Sequence, residues 1–346
     1  MIRLTSGPTS LTVLATYQCT AACKECCFEC SPKLTQRLSL PEIHQAIDQA
    51  SAFASLRLVV FSGGECFLLG KELVSAVGYA HNRGLLVRCV TNGYWSTSSH
   101  AALLRLRPLQ QAGLTELNLS TGDDHQAFVP FGRVVTAAIT AAELGIRTLI
   151  VVEGNDSAKF QLQDALADSL LQEFMRDHPN GALLSVMSNI WMPFFMDSEI
   201  THKEHLTRDP EIRSDLTGCD NILGNIVVTP TGMVASCCGL TMEHIPAMKL
   251  GSLRDESIVS LYQQQLSDFL KIWIHTDGPE RIILWARQYD SAINIPPTVH
   301  PCEACAVLHQ DERILSILRN HYHEVVDAVM HRYFATQAVA QLVADL

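Results

Sequence analysis

The stretch Leu11-Thr-Val-Leu-Ala15, followed closely by Cys19-Thr-Ala-Ala-Cys23-Lys-Glu-Cys26, decides how this chain is read. The first five residues are mostly apolar and bounded by polar ones, which predicts a short buried strand. The run behind them is C-x3-C-x2-C, so three thiols crowd the carboxyl end of that strand. Three readings are open at this point. Zinc sites favour C-x2-C pairs with a matching second pair. Free Cys is often buried as a small hydrophobe. Iron–sulfur clusters take Cys thiolates, and four is the usual count. Three thiolates leave one iron of a four-iron cluster without a protein ligand. An open coordination position is what separates catalytic from structural metal sites.

Working outward, the pattern alternates as far as about residue 190. Strands are expected at Leu11–Ala15, Leu58–Ser62, Leu86–Thr91, Leu117–Ser120, Thr148–Glu153 and Leu183–Met187. Helices are expected between them, at Leu40–Ala54, Lys71–His81 and Val134–Leu144. Ser39 and Pro41 with Glu42 mark a helix start, and Gly145 marks a helix end. Such alternation implies an α/β fold with a parallel sheet and helical crossovers. Six units suffice for an open, partial (β/α)6 TIM-like barrel. Sites in such sheets lie at the carboxyl ends of the strands.

The segment Phe61-Ser-Gly-Gly-Glu-Cys66 ends the second strand. Gly63 and Gly64 permit close approach of a ligand to the backbone, and Glu65 can accept a hydrogen bond from a ligand ammonium group. Alone, Gly-Gly-Glu is a turn. One strand after C-x3-C-x2-C, it makes the chain resemble the radical S-adenosylmethionine superfamily over roughly residues 10–190. That resemblance implies a [4Fe-4S] cluster on Cys19, Cys23 and Cys26, with S-adenosylmethionine chelating the open iron and Gly63, Gly64 and Glu65 holding its amino group. It implies reductive cleavage to methionine and a 5′-deoxyadenosyl radical that abstracts hydrogen from a substrate, with the protein supplying binding and orientation. Asn92, in Thr91-Asn92-Gly93, and Ser120 end the next two strands and fit cofactor contacts of the family less specifically; Ser120 reads equally as a turn serine. Asp123, Asp124 and His125 face substrate or cap the next helix. In two places the chain departs from the family. Glu25 stands where an aromatic residue is common, so Phe28 becomes the candidate for stacking on adenine. The Arg expected to bind the methionyl carboxylate has Arg133 as its nearest candidate.

A second Cys group, Cys219-x12-Gly232-x4-Cys237 with Cys302-x2-Cys305, surrounds a hairpin expected at Asn225–Ser236. Four thiolates make a closed set, for an iron–sulfur cluster or for zinc. The pattern resembles the shortened, one-cluster form (twitch) of the auxiliary SPASM domain in peptide maturases. The expected organisation is a barrel over 1–190, a polar bridge with Pro193 and Pro210 over 191–218, a twitch-type domain over 219–310 and terminal helices over 311–346. The stretch from Asp277 to Pro301, with Pro279, Pro296 and Pro297, reads as irregular. Cys238, beside Cys237, is a candidate hydrogen-atom donor, although neighbouring residues in a strand face opposite ways. Cys27, Cys30, Cys66 and Cys89 read mostly as small core residues. His202 and His205 share a face if that segment is helical. Trp191, Phe194 and Phe195 line the substrate cleft or pack the domains together.

Composition sets the limits. The 346 residues are 47% hydrophobic and 18% charged, which suits a packed core. A net charge of −11 argues against nucleic-acid partners. No apolar run approaches roughly 18 residues, so no membrane span is expected. No signal-peptide pattern opens the sequence, and 12 Cys without secretion read as metal-binding or catalytic, so a cytoplasmic location is expected. The resemblance implies a ribosomally made precursor peptide as substrate and an external reductant. The first Cys comes at position 19, and small domains need at least about 40 residues to fold unaided. Leader recognition is therefore expected either to be carried by a separate small leader-recognition protein or to be dispensable. The competing readings are action on a small molecule or a protein side chain, and a non-enzymatic zinc or iron–sulfur scaffold.

Overall fold

The computed structural model describes residues 7–195, 198–209, 216–295 and 297–344. The chain start, Pro210 and Pro296, on which expectations above bear, lie outside the described residues. Six parallel strands run in order: β1 (Ser10–Thr16), β2 (Leu58–Gly63), β3 (Leu86–Thr91), β4 (Glu116–Thr121), β5 (Arg147–Gly154) and β6 (Leu184–Ile190). Three more follow: β7 (Asn225–Val228), β8 (Met233–Ala235) and β9 (Lys249–Ser252). The sheet order is β6-β5-β4-β3-β2-β1-β7-β8-β9. It is an α/β sheet, mostly parallel, and it does not close, so the partial barrel expected from the alternation is the fold.

The elements form where local chemistry places them. The helix Leu40–Ala50 starts at a capping box, with Ser39 Oγ accepting from Glu42 N–H and the Glu42 carboxylate accepting from Ser39 N–H. Its buried residues Ile43, Ala46, Ile47 and Ala50 form one stripe against the sheet. The helix Phe131–Glu143 ends before Gly145, whose φ of 79° suits only glycine there. Leu11, Val13, Val59, Phe61, Val87, Leu117, Leu119 and Ile150 are buried beneath these helices.

The C-terminal part adds to this sheet rather than standing apart from it. β7 pairs parallel with β1, register Leu11 to Ile226, and the Thr229–Gly232 turn returns the chain antiparallel into β8. The helix Ile258–Gln265 buries Ile258, Leu261 and Tyr262 in the same core as the barrel. Thus the sheet and first core run across position 219, where the sequence suggests a new domain. A second core gathers Ile272, Trp273, Ile282, Ile283, Leu308 and Ile314. The stretch from Asp277 to Pro301, expected to be irregular, contains a helix over Pro279–Ala286. Pro279 occupies its first turn, where a missing N–H costs nothing. The tail is helical over Pro301–Gln310, Glu312–His321 and Val326–Ala344. Among the described residues, no helix is long and apolar enough to cross a membrane.

Candidate active site

The loop between β1 and the first helix carries the three thiols. Its base is closed by backbone bonds: Tyr17 N–H to Gln36 O (3.0 Å), Cys19 N–H to Ser31 O (3.2 Å) and Leu38 N–H to Ala15 O (3.0 Å). The end of β2 then presses against it. Gly64 N–H donates to Thr16 O and Glu65 N–H to Gln18 O at 3.0 Å. A Cβ at Gly63, whose φ is 118°, would lie 2.5 Å from Thr16 O, and one at Gly64 would lie 2.3 Å from Gln18 O. The glycines were expected to admit a ligand. They also admit the chain's own backbone, and so fix where the Cys loop stands.

Cys19, Cys23, Cys26, Gly63, Gly64, Asn92 and Ser120 line one cavity of about 280 Å³ at the carboxyl ends of the strands. Cys27, Phe28, His125, Trp191, Phe194 and Leu240 complete much of its wall. The sulfurs receive donors. Ala21 N–H donates to Cys19 Sγ (3.4 Å), Cys30 N–H to Cys26 Sγ (3.4 Å) and Asn92 Nδ2 to Cys19 Sγ (3.7 Å). Such bonds favour the thiolate, the form that binds iron. A hydrogen bond from the Cys30 thiol draws Cys26 down to about 6, while burial pushes Cys19 up to about 11 and Cys23 higher still. A bound metal reverses such burial shifts by deprotonating its thiols. The donor set therefore fits a cluster on three thiolates.

Five expected residues sit differently from their sequence reading. Glu65 is fully buried and does not line the cavity. Its carboxylate accepts from Phe67 N–H (3.0 Å), Asn92 N–H (3.0 Å) and Thr91 Oγ1 (2.9 Å). It ties the ends of β2 and β3 together from beneath, and burial pushes it up to about 7. Arg133 lies on the outer helix Phe131–Glu143, its guanidinium donating to Tyr94 O (3.2 Å), away from the cavity. Cys238 lines neither Cys-lined cavity. Its sulfur accepts from Asn225 Nδ2 (2.7 Å) and its thiol donates to Asn221 Oδ1 (3.5 Å). Cys237 and Cys238 follow the end of β8, so strand alternation does not set their directions. His202 and His205 share no helix: His202 Nε2 bonds Trp191 O (2.9 Å), and His205 lies in a short turn.

The sequence gives weak notice of one further pair. His125 Nδ1 stands 2.7 Å from Glu153 Oε1, and Glu153 is nearly fully buried. Gly122 makes this possible, because a Cβ there would lie 2.2 Å from the Glu153 carboxylate. The neighbouring carboxylates act structurally: Asp123 accepts from Lys159 and Phe160 N–H, and Asp124 from Glu25 N–H. Only the glycine after β4 and the acid ending β5 hint at this contact.

Cys219, Cys237, Cys302 and Cys305 line a second cavity of about 290 Å³. A Cβ at Gly239 would lie 3.2 Å from Cys302 Sγ and 3.4 Å from Cys237 Sγ, so this glycine keeps space among the thiols open. Burial pushes Cys237 and Cys302 up to about 12 and Cys305 up as well. Among the described residues, no three His, Cys, Asp or Glu side chains are grouped closely enough to hold a metal ion.

No protein-family profile and no curated protein matches the sequence. Solved structures do. SuiB of Streptococcus suis bound to S-adenosylmethionine is 13% identical, with a TM-score of 0.57 over 77% of this chain and 68% of SuiB. SuiB bound to precursor peptide SuiA is 12% identical, with a TM-score of 0.53 over 74% of this chain and 65% of SuiB. Native anSMEcpe with bound S-adenosylmethionine and Kp18Cys peptide is 13% identical, with a TM-score of 0.54 over 93% of this chain and 99% of anSMEcpe. The chain thus has the fold that its likeness to the radical S-adenosylmethionine superfamily implies: a partial (β/α) barrel that stays open.

Proposed function

We propose that this chain is a radical S-adenosylmethionine enzyme that modifies a ribosomally made precursor peptide and carries one auxiliary iron–sulfur cluster. The observation that carries the reading is the meeting of Cys19, Cys23 and Cys26 with Gly63, Gly64 and Ser120 around one cavity. It stands in a fold shared with structures that hold S-adenosylmethionine. The peptides bound in two of the structures that share this fold support a peptide substrate.

In this reading Cys19, Cys23 and Cys26 would hold the [4Fe-4S] cluster, which, reduced by an external reductant, would supply one electron for cleavage of S-adenosylmethionine into methionine and a 5′-deoxyadenosyl group. The chain's own part is binding and orientation. Asn92 and the loop N–H groups hold the thiolates. Ser120 offers a hydroxyl to the ribose, and Phe28 an aromatic face to the adenine. Glu65 and Thr91 lock the strand ends beneath. Cys219, Cys237, Cys302 and Cys305 hold the auxiliary cluster.

Co-expression with candidate precursor peptides, followed by mass spectrometry of the peptide, tests the substrate class. Loss of two hydrogens means a new bond, a larger loss means excision, and inversion of an α-carbon shows only by chiral analysis. An enzyme that makes 5′-deoxyadenosine yet leaves every candidate peptide unchanged in mass and chirality contradicts the peptide reading.

A further inference from the structure

The wall of the first cavity holds a buried acceptor and a buried donor that no described residue uses. Glu25 stands between Cys23 and Cys26, retains 6% of its surface and lines the cavity. Its Oε2 accepts from the backbone N–H groups of Phe194 (2.7 Å) and Phe195 (3.2 Å). Its Oε1 is buried with no hydrogen-bond partner among the described residues. Trp191 lines the same cavity, and its indole Nε1 is likewise buried without a partner among the described residues. These groups belong to one wall. Glu25 N–H donates to Asp124 Oδ2 (3.0 Å), and the neighbouring His125 ring meets Trp191 edge-on at 5.5 Å.

Buried polar groups are nearly always paired, and leaving one unpaired is costly. A carboxylate oxygen only accepts, and an indole N–H only donates. The group that completes this wall therefore brings both a hydrogen-bond donor and an acceptor. We propose that Glu25 and Trp191 form a specificity pair: Oε1 accepts an N–H of the bound ligand, and Nε1 donates to an acceptor of the same ligand. Two sources offer that chemistry, the amide of a peptide and the amine-bearing edge of an adenine base. The inference rests on the cavity being the ligand site described above. It also gives the departure at position 25 a use. One oxygen of the acid braces the segment after β6, and the other is left without a partner among the described residues.

Two substitutions separate bracing from recognition. In Glu25→Gln the carboxamide oxygen keeps the Phe194 and Phe195 N–H groups and turns an amine into the cavity, converting an acceptor into a donor. In Trp191→Phe the ring stays and the N–H is lost. Dissociation constants are measured on the anaerobic, iron-loaded full chain for two probes: S-adenosylmethionine alone, then acetyl-trialanine amide with the cofactor present. The expected result is a rise of roughly tenfold to a hundredfold for one probe in Glu25→Gln, and of about threefold to tenfold for the same probe in Trp191→Phe. The melting temperature of Glu25→Gln stays near that of the wild type. A loss in the first arm identifies the adenine as the partner, and a loss in the second identifies a peptide amide. Constants within about twofold of wild type for both probes overturn the pair and leave the ligand site standing. A wild-type chain that binds neither probe overturns both. If Glu25→Gln does not fold, Trp191→Phe alone decides by the same criterion.

Discussion

At the scale of single residues, Glu65 has the clearest consequence. Burial lifts its folded value to about 7, above the ordinary 4.5. Folding is therefore favoured by its protonation, so the stability it contributes is fully present below about 4.5 and is lost as pH rises to about 7. Glu65→Gln removes this titration and puts an amine against backbone donors. We expect the metal-free variant to be less stable than the wild type by roughly 1–3 kcal/mol near pH 5, with the gap narrowing near pH 8. Urea unfolding at the two pH values measures it; a gap that widens with pH contradicts the assignment. Cys26 gives a second outcome. In the metal-free chain its alkylation by iodoacetamide should show a midpoint near 6, and Cys30→Ala, which removes the thiol donor, should move that midpoint upward. An unchanged midpoint means that Cys30 does not act on Cys26. The Cys triplet, Gly63, Gly64 and Ser120 are legible in the sequence because their spacing and strand-end positions carry the signal. The His125–Glu153 pair is not, because it depends on two strand ends meeting across a glycine. Arg133 and Cys238 were legible only as residue types, since their directions are set by partners, Tyr94 O and Asn225, that no spacing reveals.

At the scale of elements, the site is built by pressing one strand end on another. A Cβ at Gly64 has nowhere to go, so Gly64→Ala should displace the Cys19–Cys26 loop and destabilise the fold by roughly 1–3 kcal/mol. Its iron content after reconstitution should fall by about four per chain, the auxiliary set being untouched. Conversely, Cys302→Ser should lose about four irons while the Cys19–Cys26 site keeps its own. Iron analysis of both variants checks the two losses; equal iron in all three proteins contradicts two separate sites. The strand and helix order was readable from alternating periodicities, and the elements lie within a few residues of where those place them. The helix Pro279–Ala286 was hidden because proline density reads as irregularity, whereas Pro279 simply starts a helix.

At the scale of the whole molecule, β1 is the hinge of the design. It pairs with β2 on one side and β7 on the other, and Thr12 Oγ1 reaches Asn225 Oδ1 at 3.2 Å across the latter junction. The strands on both sides of this junction thus form one continuous sheet. No local pattern announces this, because parallel pairing of β1 with β7 joins residues far apart in the chain. We expect the metal-free chain to unfold in urea with coincident fluorescence and circular-dichroism transitions; two separated transitions contradict the shared sheet. The central claim is that three thiolates in the first cavity arm S-adenosylmethionine cleavage. Its most direct test incubates the oxygen-free, iron-loaded chain with S-adenosylmethionine and dithionite and measures 5′-deoxyadenosine by mass spectrometry. The wild type should release it and Cys23→Ala should not; an inactive wild type, or a variant that matches it, contradicts the account.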